Sequence, residues 1–425
     1  MRVTQNDKIM QMKIDTMIVG IDVGKETHYA KAIDIRGVEL GRLLRFSNDA
    51  EGYASLDKWM NEIMKRTEKT EAIVGFEPTG HYWFTLADHL KGRGHKLAIV
   101  NPYHVKCTKE LDDNSPTKND LKDPKTIAML VKDGRYRDVY IPEELYQELR
   151  EAVWEYERLK RRKKDIKNQV TRWLDIRFPE FEKVFSAWDG KAARIILKKC
   201  PTPARVVEAG TEGIMNIWLE QGVKGASRKK ANGIVEAAQK SIGRTIGLVA
   251  AEKSLRNMLT EYEMIEKQLE EQEKQMGELL RQVPNTEYLL GMKGMGMVST
   301  AIIVSEIGDI RRFQAARQII KMSGLNLSEN SSGKHKGQTK ISKRGRKRLR
   351  TALFRIVIPL IANNEEFRML HHRYVSREKN PLKKMQSIIA LCCKLIRIIY
   401  AILTKGIEYD RNEVLRGIKP RVKAA

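Results

Sequence analysis

The chain has 425 residues, 79 of them Lys or Arg and 54 Asp or Glu, which leaves a formal charge of +25 at pH 7. A field of that sign draws polyanions and makes their binding salt-dependent, so nucleic acid is the expected partner. The length exceeds what one hydrophobic core usually serves, so two or three domains are expected, and 41% hydrophobic residues let each bury a core. Cys107, Cys200, Cys392 and Cys393 lack metal-type spacing, which speaks against structural zinc and for reduced thiols in the cytoplasm. The N-terminal stretch has no apolar run of signal-peptide length, and the apolar segment 387–403 is broken by Lys394 and Arg397, so a buried core helix is expected there and no membrane contact.

From residue 17 the pattern predicts three short strands, 17–23, 27–34 and 40–46, as an antiparallel meander. Helix 50–69, strand 72–77, helix 81–93 and strand 97–101 follow. A meander followed by strand-helix-strand units is the ribonuclease H-like order. Residues 103–117 read as a polar loop, and 121–133 as a helix opening on acidic residues, which suits its positive end.

Beyond Pro142, Leu145, Leu149, Ala152, Tyr156, Leu159, Lys163, Ile166, Val170 and Trp173 alternate at spacings of four and three. Leu255, Met258, Tyr262, Ile265, Leu269, Gln272, Met276, Leu279 and Val283 repeat the rule. Two such helices pair antiparallel within the chain or zip to a second subunit, and the pattern leaves both open. The first carries seven basic residues in the ten from Arg158 to Lys167, either a solvated face or a nucleic-acid contact. Past Pro284, Gly294-Met-Gly296 resembles the glycine turn of a helix-hairpin-helix, whose backbone amides hold a DNA phosphate; a tight turn needing glycine for backbone reasons alone is the other reading.

Four carboxylates stand out. Asp22 sits in the first strand just before Gly24, Glu77 ends the strand over 72–77, and Asp120 and Asp123 are three apart at a helix start, hence on one face. In a ribonuclease H-like sheet the two strands are neighbours. Four such groups repel unless cations sit between them, and hard oxygen ligands suit magnesium or manganese in a two-metal phosphodiester site. Ile-Asp-Val-Gly also resembles the phosphate turn of sugar kinases and actin-like ATPases, and Glu77 and Asp120 could simply end a strand and cap a helix.

Residues 334–350 (KHKGQTKISKRGRKRLR) hold nine basic residues and no acid: Lys334, Lys336, Lys340, Lys343, Arg344, Arg346, Lys347, Arg348 and Arg350. They follow Ser331-Ser332-Gly333 directly. A serine hydroxyl is a poor nucleophile unless a base, a metal or cations assist it, and Lys and Arg supply the cations. Attack by serine in place of water conserves the phosphoester, so strands can be rejoined without ATP. An ordinary polar loop whose basic neighbours grip backbone phosphates is the alternative.

Together, Ile21-Asp-Val-Gly24, Phe76-Glu-Pro-Thr-Gly80, Lys118-Asn-Asp-Leu-Lys-Asp123, Gly291-Met-Lys-Gly-Met-Gly296, Gly324-Leu-Asn-Leu327, Ser331-Ser-Gly333 and Ile341-Ser-Lys-Arg-Gly345 resemble the DEDD transposases of the insertion sequence 110 family. The resemblance runs from about residue 17 to 373. Pro124 stands where that family usually has a small residue, and Asn326-Leu327 where Thr-Pro or Val-Pro is common.

The resemblance implies an α/β plus α architecture: a tail over 1–16, a ribonuclease H-like (RuvC-like) domain over 17–140, a coiled-coil and helical connector over 141–283, and a mainly helical transposase domain over 284–420. It further implies that Asp22, Glu77, Asp120 and Asp123 bind Mg2+ or Mn2+, that Ser332 is the nucleophile with Ser331 one position away, and that 334–350 with Gly294 and Gly296 contact nucleic acid. It implies donor and target double-stranded DNA, an element-encoded bridge RNA, a tetramer of two dimers, and a prokaryotic, nucleoid-associated setting. Two rivals remain: a RuvC-like junction nuclease using water, and a non-catalytic basic nucleic-acid binding protein.

Overall fold

The structure is a computed structural model that describes residues 4–78, 80–112, 123–140, 143–225, 227–328, 331–332, 335–336 and 339–416. It divides into two compact units, Met1–Ile141 and Pro142–Ala425.

The first unit is a three-layer α/β sandwich. Its elements are α1 (Gln5–Met10), β1 (Thr16–Val23), β2 (Thr27–Ile33), β3 (Leu44–Ser47), α2 (Ala50–Arg66), β4 (Glu71–Phe76), α3 (Trp83–Gly92), β5 (Lys96–Val100), α4 (Pro102–Asp112), α5 (Asp123–Lys132) and β6 (Tyr136–Asp138). The sheet order is β3-β2-β1-β4-β5-β6. β1, β2 and β3 form the expected antiparallel meander, β4 and β5 run parallel to β1, and β6 closes the other edge antiparallel.

Strand alternation sends each β1 side chain to one of two cores. Met17, Val19, Ile21 and Val23 join Leu56, Met60, Leu86 and Leu90 of α2 and α3 on one face. Ile18 joins Ile73, Ala98, Ile127, Ala128 and Val131 on the face covered by α5. Two glycines seat that helix. Gly20 and Gly75 are register partners on β1 and β4. A Cβ on Gly20 would lie 2.0 Å from the Pro124 carbonyl oxygen and 2.5 Å from the Ala128 nitrogen, and one on Gly75 would lie 2.4 Å from Val131 Cγ2. Only residues without a side chain let α5 lie this close to the sheet, its backbone over Gly20 and its Val131 side chain over Gly75.

Two expectations are corrected here. The third strand begins at Leu44, and residue 39 makes only a bridge to Ile33. Residues 103–112, read as loop, continue α4 from Pro102. Proline suits a first helical turn, and the Asn101 Oδ1 accepts the Tyr103 amide at 3.0 Å, so Asn101-Pro102 starts a helix where it was taken to end a strand. Val105 is then buried in the α5 core.

The second unit is helical: α6 (Glu144–Arg177), α7 (Phe181–Val184), α8 (Lys191–Lys199), α9 (Pro203–Glu220, kinked at Gly210), α10 (Arg228–Gln239), α11 (Leu248–Arg281), α12 (Thr286–Leu290), α13 (Met297–Ile307) and α14 (Ala316–Ser323). Two small hairpins follow, β7 (Leu327–Ser328) pairing β10 (Lys340–Ile341), and β8 (Ser331–Ser332) pairing β9 (His335–Lys336). α15 (Lys347–Asn363), α16 (Glu365–Ser376), α17 (Lys384–Lys405) and α18 (Arg411–Leu415) complete it.

The heptad helices α6 and α11 pack antiparallel on each other within the chain. Leu149, Tyr156, Leu159, Ile166 and Val170 face Leu255, Leu259, Tyr262, Ile265, Leu269 and Met276 in one core, and Trp173 Nε1 donates to the Ala251 carbonyl at 2.9 Å. That core continues through α13, α15 and α17. By length and composition α17 could cross a membrane, but its Leu391, Cys392, Leu395, Ile396 and Ile399 are buried against the helical body, as expected of a core helix.

Gly20→Ala should force α5 off the sheet and cost about 1–3 kcal/mol as overpacking, read as a lower urea midpoint. Gly92→Ala, where the added carbon meets nothing within 4 Å, should leave the midpoint almost unchanged.

Candidate active site

β1 and β4 end side by side. Their last paired residues are Ile21 and Phe76, so Asp22 and Glu77 are the next residue on each chain, and alternation turns both toward the face that carries Gly20, Gly75 and α5. Asp123 is the first residue of α5 and only 9% exposed, and the following Pro124 rests on Gly20. The fold therefore brings Asp22, Glu77 and Asp123 to one end of one sheet face. Asp120 lies outside the described residues. Among the described residues no three His, Cys, Asp or Glu side chains form a ready metal cage. The donor set of these three is all carboxylate oxygen, which is the chemistry of a Mg2+ or Mn2+ site. In that respect the residues fit a divalent metal.

Neighbouring side chains fix the segments that carry Asp22 and Asp123. The turn after Asp22 is fixed by His28, which is fully buried and whose Nδ1 accepts the Gly24 amide at 3.2 Å. Burial pushes the His28 pKa down, which keeps the ring neutral and that nitrogen an acceptor. α5 is tied to the sheet edge by Glu39, whose carboxylate meets Lys125 Nζ at 2.8 Å and Lys31 Nζ at 2.6 Å. Hydrogen bonds from Lys125 first and Lys31 second hold the Glu39 carboxyl down to about 2.

In the second unit Ser332 pairs with His335, and Ser331 with Lys336, on a two-stranded hairpin. Lys334 lies outside the described residues, and of Lys336 the structure describes only the strand. Lys340, Lys343, Arg344 and Lys347 are exposed, and none of them makes an ion pair with a described residue. Arg346, Arg348 and Arg350 differ, each having partners inside the unit. Arg346 Nη1 donates to the Glu306 carbonyl at 2.5 Å, Arg348 Nε lies 3.4 Å from Glu306 Oε1, and Arg350 Nη1 donates to the Ser323 carbonyl at 2.8 Å. Gly294 has φ +93°, a backbone conformation that demands glycine whatever the space around it. Gly296 caps α13 with open space around it, which leaves that helix N-terminus accessible. On α6, Arg158, Arg162, Lys163 and Lys167 pair with Glu155, Glu261, Glu266 and Asp189, so much of that basic run is spent on structure.

Sequence reading passed over Glu306, a buried acid in the apolar helix α13. A lone charge in such a run is itself a signal of a buried partner. It also passed over Gly20 and Gly75, glycines in strand interiors where a close backbone approach is the usual reason.

Comparison with known proteins decides the family. Residues 19–179 match the DEDD transposase family of the IS110 type, and residues 286–372 the transposase family of IS116, IS110 and IS902. The chain belongs to the IS110 family of transposases. It is 23% identical over 405 residues to the 44.8 kDa protein of insertion element IS116 from Streptomyces clavuligerus, covering 93% of this chain and 96% of that one. It is 21% identical over 399 residues to the 43.6 kDa protein of insertion element IS110 from Streptomyces coelicolor, covering 93% and 95%. A pilin gene-inverting protein of Moraxella lacunata is 23% identical over 402 residues, covering 93% and 98%. As a DEDD transposase the protein is a DNA-cutting and rejoining enzyme, and a domain of that type implies a divalent metal.

A carboxyl held low in the folded state adds stability above its ordinary value of 4.5 and loses it as pH falls toward about 2. With 43% of the Glu39 side chain exposed, the pair is worth about 0–1 kcal/mol. Glu39→Gln should thus lower the urea midpoint slightly at pH 7, and the difference from the parent should shrink between pH 4.5 and 2.

Proposed function

We propose that this transposase is a site-specific recombinase of its own element, with a ribonuclease H-like (RuvC-like) domain over 17–140, a helical connector over 141–283 and a serine-bearing domain over 284–420. The observation that carries the reading is the placement of Asp22 and Glu77 at the adjacent ends of β1 and β4, with Asp123 opening the helix that rests on Gly20, in a chain that matches transposase families over 19–179 and 286–372. The strand order, with an antiparallel meander leading into parallel strands, supports the ribonuclease H-like assignment.

Asp22, Glu77, Asp120 and Asp123 would hold Mg2+. Bound there, the metal withdraws charge from the scissile phosphate and stabilises the oxygens that enter and leave. Ser332 is the proposed nucleophile. Its Oγ forms a bond to phosphorus, the bond from phosphorus to one deoxyribose oxygen breaks, and the serine proton ends on that departing oxygen through solvent. One phosphoester replaces another, so the reverse attack by a new hydroxyl joins strands with no other energy source. Lys340, Lys343, Arg344 and Lys347, exposed beside the serine hairpin, grip the phosphates and neutralise the transition state. The Gly296 amide end of α13 offers a further phosphate seat.

Donor and target DNA are the proposed substrates, with an element-encoded bridge RNA supplying sequence choice, and four copies in two pairs supplying tetrads and serines to each other. The relatives named as pilin gene-inverting proteins favour recombination over hydrolysis. The proposed setting is the cytoplasm, beside the chromosome.

Purified protein with Mg2+, flanking noncoding RNA of the element and donor DNA should yield protein covalently joined to DNA on a denaturing gel. Ser332→Ala and Asp22→Ala should each abolish that adduct. Cleavage that persists in Ser332→Ala with no adduct would contradict the serine mechanism and leave a hydrolytic nuclease.

A further inference from the structure

The nine basic residues after the serines are not equivalent, and the difference lies in what holds the serine loop. Residues 324–345 leave the helical body and return to it at a narrow neck. Gly324 has φ +70°, and a Cβ on it would meet Arg350 Nη1 at 2.8 Å and the Lys343 carbonyl carbon at 2.9 Å. A Cβ on Gly345 would lie 2.3 Å from the Met322 carbonyl oxygen. The two arms thus cross backbone to backbone. Hydrogen bonds stitch them: Ser342 N–H to the Asn326 carbonyl at 2.8 Å, Lys343 N–H to the Gly324 carbonyl at 3.0 Å and Arg346 N–H to the Met322 carbonyl at 2.7 Å.

Arginine side chains finish the joint. Arg350 Nη1 donates to the Ser323 carbonyl on one arm at 2.8 Å and to the Lys343 carbonyl on the other at 3.3 Å. Arg346 and Arg348 converge on Glu306, whose side chain is only 7% exposed, with Arg346 Nη1 4.0 Å from Oε2 and Arg348 Nε 3.4 Å from Oε1. Arg348 also pairs with Glu157 of α6 and lies over the Trp154 ring, 5.0 Å from its centroid. These cations sit where α15 begins, the end at which the helix dipole disfavours positive charge, and its first turn holds no acid. A buried carboxylate from α13 offsets that cost and joins neck, α13 and α6 in one cluster.

We propose that Arg346, Arg348 and Arg350, with Glu306, are positioning residues that mount the serine loop on the helical body, and that Lys340, Lys343, Arg344 and Lys347 are the ones that meet phosphate. The proposal rests on the reading of that loop as the nucleophile carrier. The Arg350 guanidinium reaches the Ser323 and Lys343 carbonyls from a rigid planar fork, which a lysine ammonium on its flexible stem does not reproduce, so Arg350→Lys keeps the charge and removes the staple.

The test uses the full-length protein and two variants, Arg350→Lys and Glu306→Gln. With donor DNA at saturation, adduct formation should fall about 10- to 100-fold in each, as expected of a misplaced reacting group. DNA affinity should hold, and so should the slope of log affinity against log salt. Arg344→Gln should instead flatten that slope by about 1, the signature of one lost phosphate contact. Hydrogen exchange at the Ser342 and Lys343 amides should quicken about tenfold in Arg350→Lys while the amides of α13 and α17 keep their rates, which separates a loosened neck from general destabilisation. A salt slope flattened by about 1 in Arg350→Gln, or neck amides in Arg350→Lys that exchange as in the parent, would overturn the proposal. If the parent forms no adduct, the serine reading fails by itself, and the exchange measurement still decides whether the arginines hold the neck.

Discussion

The contact on which the acid-bearing end of the first unit depends is the one between α5 and two glycines of the sheet, Gly20 against its backbone and Gly75 against its Val131 and Ile127 side chains. Gly20 and Gly75 lie side by side on β1 and β4, and the helix rests on them closely enough that a methyl on Gly20 would fall within 2.0 Å of the Pro124 oxygen. Asp22 and Glu77 are each two residues beyond a seat glycine, on the same face by strand alternation. Asp123 directly precedes the residue that touches Gly20. The strand register and the seat of α5 on Gly20 therefore set these three residues at one end of the sheet. Lys125 and Glu39 then tether the same helix to the sheet edge, a surface pair too exposed to substitute for the seat.

The second unit meets an electrostatic problem with a different solution. A chain with +25 formal charge repels itself, and its densest basic segment falls at the start of a helix. The fold divides that segment between two duties. Arginines with partners, to Glu306, Glu157 and backbone carbonyls, become part of the neck, whereas Lys340, Lys343, Arg344 and Lys347 stay exposed toward solvent. Arginine suits the first duty because its fork is planar and fixed, and lysine suits the second because a flexible ammonium follows a phosphate without demanding a geometry. The same division marks α6, where four of its basic residues are paired with acids, three of them outside that helix.

Local pattern carried much of this. The meander, the parallel strands and the opening of α5 on an acid were legible because periodicity and acid placement are local signals, and the two heptad runs gave both long helices. Their pairing partner was not legible, since a heptad seam looks the same to a helix of its own chain and to one of another. Residues 103–112 misled because Asn-Pro ends a strand as readily as it starts a helix, and only the packing of Val105 against α5 decides. The arginine cluster around Glu306 joins residues forty or more positions apart, and the neck of the serine loop depends on two glycine backbones crossing; neither leaves a periodic trace. Single roles within 334–350 could not be read from charge alone, for which all nine residues look alike.

The central claim is that α5, seated on the glycine pair, closes a metal site with Asp22 and Glu77. The most direct measurement is a crystal structure of the full chain grown with Mn2+, with anomalous scattering recorded near the manganese edge. The account predicts an anomalous peak coordinated by the Asp22, Glu77 and Asp123 carboxylates at the end of β1 and β4. An ordered sheet end with no peak there, or manganese bound elsewhere, would contradict it.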